Sequence, residues 1–212
     1  MTNELIARLS DDLRPTPANA LVRGLAIATL LGLLASAALM LLSLGPRPDF
    51  WQAIGTPIFW IKSAYTAGLA LAGIWATERL GRPGISGRMP LILAVGLLLA
   101  LPTGSVVDYA LAPVTARRAM LMGSSALVCP FYIAALSLPP FLAVIVLMRR
   151  LAPTNLPLAG AAVGLAAGAL GGWVYSFHCT EEGLPFLALW YTTGVAAVAA
   201  LGALLGRTLL RW

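Results

Sequence analysis

Groups that carry chemistry are scarce in this chain. Its 212 residues include one histidine, His178, one lysine, Lys62, and two cysteines, Cys129 and Cys179. Two cysteines form one pair at most, which excludes the disulfide framework of a small secreted domain. No C-x-x-C or H-E-x-x-H spacing occurs, so the common zinc and metalloprotease signatures are missing. Charge is scarce too: Asp, Glu, Lys and Arg make up 10% of the chain, against about 25% in a soluble domain. The longest polar pieces are the first 23 residues and a segment from about Asp108 to Ser125, neither long enough to build a core of its own. There is no internal repeat, and no inverted pair of interrupted helices of the kind that marks many transporters.

What remains is apolar. Hydrophobic residues make up 59% of the chain and the mean hydropathy is +0.88, the composition of an integral membrane protein. A helix crosses the hydrocarbon core with about 20 apolar residues. Six runs meet that length, at residues 24–44, 57–77, 89–107, 126–148, 157–177 and 184–206. They predict an all-α, six-transmembrane-helix bundle between an N-terminal segment, 1–23, and a short tail, 207–212. Ala35-Ser36-Ala37 has the look of a signal-peptidase site. The apolar run around it follows a long polar segment and continues to Leu44, which suits a retained helix. Pro139-Pro140 falls inside the fourth run, where a kink is expected.

The arginines orient the bundle. Ten of them (Arg8, Arg14, Arg23, Arg79, Arg82, Arg88, Arg149, Arg150, Arg207 and Arg211) fall on one side with four acids, for a net charge of +6. Arg47, Lys62, Arg117 and Arg118 fall on the other with four acids, for a net of zero. The positive-inside rule then places both termini in the cytoplasm, and the pI near 10 needs no nucleic acid to explain it.

Gly160, Gly164, Gly168 and Gly172 recur every fourth residue in the fifth run, and Gly194, Gly202 and Gly206 keep the same frame in the sixth, interrupted by Val198. This spacing predicts a tight antiparallel hairpin, with self-association of two copies as the other use of such a face. At the N-terminus, Leu5, Ile6, Leu9 and Leu13 have helical spacing beside Glu4, Arg8, Asp11 and Asp12. They predict an amphipathic helix of roughly ten residues, ended by Pro15 and too short to stand alone. Its mixed charge favours a protein partner over a lipid surface.

His178, Cys179, Glu181 and Glu182 crowd into five residues at the outer corner of that hairpin. The topology sets Cys129, at the head of the fourth helix, at the same membrane depth. The pair reads either as two buried small residues or as a disulfide or shared metal site on an oxidising side. With Asp108, the histidine and glutamates are ligand types for a soft or borderline metal; a solvated turn is the plainer reading of the acids. Pro130 is acceptable in a first helical turn, whose dipole would favour a thiolate at Cys129. Lys62 lies about 8 Å inside the outer end of its helix. It either snorkels to the interface or pairs with Asp108 or Glu182.

The stretch HCTEEGLPFLALWYTTG (178–194) resembles the pattern of the NrsF family, in which His-Cys-Pro-Glu is followed by Pro-Phe and then Trp-Tyr. LIARLSDDLRP (5–15), RLGRPG (79–84) and the position of Cys129 add to the resemblance, which spans nearly the whole chain. Thr180 stands where the family pattern has proline, and VCPFYI lacks the asparagine expected soon after its cysteine. The family comprises bacterial inner-membrane negative regulators of an extracytoplasmic-function sigma factor. The resemblance implies six spans, sensing of heavy metal or oxidant by Cys129 and Cys179, and a sigma-factor grip at about Met1 to Pro17. Within that grip it singles out Leu5, Ile6, Leu9, Asp12, Leu13, Arg14 and Pro15. It implies no obligatory cofactor, only a transient metal ion at the cysteines, and no direct contact with nucleic acid. A small transporter or channel is the alternative class; it calls for ionisable groups near the midplane, and Lys62 is too shallow. A membrane thiol oxidoreductase would need a close redox motif or a cofactor site, and neither is visible.

Overall fold

The computed structural model describes residue 17 and residues 19–211. Among them there are eight helices and no strand: α1 (Ala20–Ser43), α2 (Phe50–Ala53), α3 (Pro57–Leu80), α4 (Arg88–Leu111), α5 (Val114–Met122), α6 (Cys129–Met148), α7 (Leu156–Tyr175) and α8 (Leu184–Leu209). Six of these (α1, α3, α4, α6, α7 and α8) are long and apolar enough to cross a membrane, the number the apolar runs predict. The predicted amphipathic N-terminal helix and its sigma-contacting residues lie outside the described residues.

Proline punctuates the starts. It occupies the first helical turn of α3, α6, α7 and α8, where its missing N–H has no intrahelical partner to lose. Asn155 caps α7 by accepting a hydrogen bond from the Leu158 amide at 3.0 Å. The prolines inside α6 have a different effect. Pro140 cannot donate to the Leu136 carbonyl one turn back, and the Ser36 hydroxyl of α1 donates to that carbonyl at 2.7 Å instead. Gly32 lies against Pro140 itself, so the α1–α6 contact is built around the proline step. The Cys129–Met148 helix runs through it without a break.

The centre of the bundle is α7, where 15 of 20 residues are buried. α3, α6 and α8 pack on it, α1 packs on α6, and α4 on α3. Glycine allows the close approach to α8. A Cβ at Gly164 would lie 2.9 Å from the Ala199 α-carbon, and one at Gly160 would lie 2.8 Å from the Gly206 α-carbon. At Gly168 the nearest atoms, of Val195 and Val198, are 3.1 Å away. At Gly172 the neighbours recede to 3.4–3.8 Å, so the tight seam ends before the Tyr175 end of α7.

Two short helices occupy stretches the sequence analysis left as loop. α2 covers the Phe50-Trp51 stretch, and α5 turns the predicted polar segment after α4 into a helix. Within α8, residues Leu187–Tyr191 are wound as a π-helical turn, which resets the helix phase near its N-terminal end.

Candidate functional site

Three connections meet at one end of the bundle: the turn after α1, the segment between α5 and α6, and the loop from α7 to α8. Regular helix ends at Tyr175, earlier than predicted. A turn follows, and the Cys179 amide still reaches the Tyr175 carbonyl at 2.9 Å. Cys179 is 3% exposed and Cys129 is fully enclosed. Both thiols are free, and both belong to a single buried cluster with Tyr175, Tyr191, Ile133 and Phe186. Cysteines fifty positions apart are therefore brought into one core, as the topology implies.

Lys62 does not snorkel. It is 1% exposed, and its Nζ donates to the Cys179 carbonyl at 3.2 Å. Neither Asp108 nor Glu182 bonds it. Asp108 is exposed near the C-terminal end of α4 and is not part of the buried cysteine cluster. The face of the Tyr191 ring lies 5.9 Å from the ammonium. The Tyr191 hydroxyl is buried, with no hydrogen-bond partner by geometry.

Arg47, which the sequence analysis used only for charge counting, holds the same loop from the other side. Its amide donates to the Phe177 carbonyl at 3.0 Å and its Nη1 to the Cys179 carbonyl at 3.4 Å. Its Nε and Nη2 grip Asp49 at 2.8 and 2.7 Å, and Nη2 also reaches Glu182 at 3.4 Å. This bidentate grip raises the Arg47 pKa and lowers that of Asp49.

Glu181 does something else. Its Oε1 accepts from the amide and hydroxyl of Ser124 at 2.7 and 2.6 Å, and from those of Ser125 at 3.1 Å each. Gly123 makes the approach possible: its φ is +47°, and a Cβ there would lie 2.5 Å from the Glu181 carboxyl carbon. Ser125 in turn accepts the Cys129 amide through its carbonyl at 2.9 Å. Partial burial pushes the Glu181 carboxyl up, but the four serine bonds outweigh it and leave it below the usual glutamate range.

His178 faces the α1 turn. Its Nδ1 lies 2.8 Å from the Gly45 carbonyl, which can only accept, so Nδ1 carries the hydrogen. The ring packs on Tyr132 and Tyr175. The four polar residues of the 178–182 stretch thus go to different partners: His178 to Gly45, Cys179 into the core, Glu181 to the serines and Glu182 to Arg47. Among the described residues, no three His, Cys, Asp or Glu side chains are grouped as a metal site.

The sequence profile of a family described as negative regulator of sigma F, NrsF, matches residues 9–212. The chain is 40% identical to the anti-sigma-F factor NrsF of Caulobacter vibrioides, over all of this chain and 99% of that protein. It is 36% identical to the probable anti-sigma-F factor NrsF of Azospira oryzae, with the same coverage. No solved structure matches it. A full-length profile match, two full-length relatives and six membrane-length helices agree: this chain belongs to the NrsF family.

Proposed function

We propose that this chain is a membrane-bound anti-sigma factor of the bacterial inner membrane. Its cytoplasmic N-terminal segment holds an extracytoplasmic-function sigma factor, and Cys129 and Cys179 respond to heavy metal or oxidant at the outer face. One observation carries the sensing half: the chain's two cysteines share one buried core although fifty residues separate them. A soft metal ion bridging the thiolates, or a disulfide between them, would tie α6 to the α7–α8 loop. The disulfide requires α-carbons within about 7 Å. The names of the two relatives support the anti-sigma half. The two cysteines and the start of α1, which the N-terminal segment precedes in sequence, lie at opposite ends of the bundle. A signal must therefore change the relative stability of two packings of the bundle, one gripping the sigma factor and one not.

The test is a sigma-dependent reporter in a strain carrying the Cys129→Ser, Cys179→Ser protein. The expected result is repression without stressor and loss of induction by metals and oxidants. Normal induction in the double variant ends the sensing reading. Failure of a peptide of residues 1–20 or so to capture the sigma factor ends the N-terminal grip.

A further inference from the structure

The two cysteines are out of reach where they lie. Cys129 is 0% exposed and Cys179 3%, so a metal ion or an oxidant finds no open path to either sulfur. A thiol's reactivity depends on access, so the bundle must open locally before the pair can respond. The two sides of the core are held unequally. On the Cys179 side, buried Lys62 and Arg47 both donate to the Cys179 carbonyl, at 3.2 and 3.4 Å, and the Cys179 amide donates to the Tyr175 carbonyl. That side is pinned from α3, from the turn after α1 and from α7. On the Cys129 side, the chain arrives through α5 and the turn at residues 123–128. None of the nine residues of α5 is buried. Ala126 of the turn is 5% exposed and belongs to the same cluster as both cysteines, so the turn forms part of the wall of their core. Two side chains from beyond Cys179 fasten this segment. Glu181 Oε1 accepts from Ser124 and Ser125, and the Trp190 indole donates to the Leu121 carbonyl at 2.8 Å. At the other end of α5, Arg117 donates to the Ala110 and Ala112 carbonyls at 3.0 and 3.2 Å, which ties α5 to the end of α4. A segment with no buried helix residue, held by a few polar bonds at one end and tied to its neighbour at the other, belongs to the low-stability part of a fold.

We propose that α5 and the 123–128 turn form a strap that closes the cysteine core, with Glu181 and Trp190 as its fasteners, and that a metal ion or an oxidant enters when the strap lifts. Gly123 lets the strap close. Its φ of +47° makes the bend between α5 and the turn, and a Cβ there would overlap the Glu181 carboxylate. The strap also leads directly to a thiol, because the Cys129 amide donates to the Ser125 carbonyl at 2.9 Å. Lifting it uncovers Cys129, while Cys179 stays pinned through its carbonyl. The proposal rests on the reading of Cys129 and Cys179 as the sensing pair for its use in the cell, but not for the movement itself. It gives Glu181 and Trp190 a part in sensing that needs neither to touch a metal.

The experiment is labelling of the full-length protein in lipid nanodiscs with N-ethylmaleimide at one neutral pH. Cys129 is followed by peptide mass spectrometry in the wild type, Glu181→Gln, Trp190→Phe and the double variant. Hydrogen exchange of the Ser124 and Ser125 amides is read on the same samples. One opening governs both readouts, so each variant raises Cys129 labelling and serine-amide exchange by the same factor, about fivefold for the loss of one fastener. The double variant gives about the product, about 25-fold, because the two bonds hold one closed state through separate atoms. The amides of α7 keep their wild-type protection. A Cys129 rate that stays at the wild-type value while the serine amides lose protection overturns the proposal, since the strap then moves without uncovering the thiol. A wild-type Cys129 that labels as fast as in the denatured protein overturns it too, since nothing then closes the core. Should Glu181→Gln loosen α7 as well, Trp190→Phe decides, and an unmoved Cys129 rate there overturns it. Labelling reads entry alone and the reporter assay with the double serine variant reads sensing alone, so either reading can fail without the other.

Discussion

Glu181 fastens two loops with a single oxygen. Its four serine donors lie just ahead of the helix that begins with Cys129, and its own position is two residues past Cys179. The clamp therefore sets how closely the two cysteine-bearing segments approach. A carboxylate whose folded pKa is depressed contributes its stabilisation above its unfolded value, about 4.3 for glutamate, and loses it as the pH falls through the folded value. The Ser124 and Ser125 amides should accordingly stay protected from hydrogen exchange at neutral pH and lose protection in acid, after correction for intrinsic exchange. Glu181→Gln should lose it at neutral pH, by about fivefold, or about 1 kcal/mol once partial exposure is allowed for. Unchanged protection in the variant would mean that the serines are held by their own backbone. The fate of each polar residue at this corner was not legible in the sequence. The alternation of the spans fixes the depth of Cys129 and Cys179, which is why their meeting in one buried core could be read. Whether Glu181 meets a metal, water or serine depends on the Gly123 turn 58 positions earlier. Lys62 was misread for the same reason: spacing gives depth along a helix, while the direction of a side chain depends on which neighbour lies there. Here the neighbour is the Cys179 carbonyl.

At the scale of elements, the glycine spacing of α7 foretold a close helix contact but not its extent. Gly160 and Gly164 touch the backbone of α8, whereas Gly172, in the same four-residue frame, sits at ordinary van der Waals distance. The difference coincides with the π-helical turn at Leu187–Tyr191, which brings the Tyr191 ring to 3.8 Å from a Cβ built at Gly172. No periodicity argument finds such a turn, because it breaks the period on which the argument relies. Gly164→Val should push α8 away along the seam and cost about 1–3 kcal/mol. Gly172→Ala should be tolerated, and Gly96→Ala, with no atom within 4 Å of the new methyl, should leave packing unchanged and gain about 1 kcal/mol in helix propensity. Thermal unfolding of the three variants in one detergent gives the ranking. A Gly164→Val protein as stable as the Gly96→Ala protein would show that the seam relaxes freely. The short helices α2 and α5 escaped the sequence analysis for another reason: at 4 and 9 residues, they are too short for a periodic signal to stand above the surrounding polar turn.

At the scale of the whole molecule, the charge partition has become a spatial one. Arg47, Lys62 and the Ser124–Glu181 clamp gather at the cysteine end. The loops after α3 and α6 meet at the other, where Gly81 lies against Leu151 and Met148. That far end carries Arg79, Arg82, Arg88, Arg149 and Arg150. A helix of 24 residues is about 36 Å long against a hydrocarbon core of about 30 Å, so α1, α3 and α4 span it with tilt or with ends in the headgroups. The positive-inside rule predicts one orientation for six spans with this arginine bias: the arginine-rich end toward the cytoplasm, with both termini. Alkaline phosphatase, active only outside the cytoplasm, should be active when fused after Ala112 and inactive when fused after Gly84 or Pro153. A cytoplasm-dependent reporter should give the reverse pattern at the same three points. The opposite pattern would put the cysteine core at the cytoplasmic end, in a reducing compartment, and would remove the premise that it meets oxidants or metals from outside. The fusion series therefore tests the orientation on which the sensing proposal depends, with no need for the inducing compound or the sigma factor.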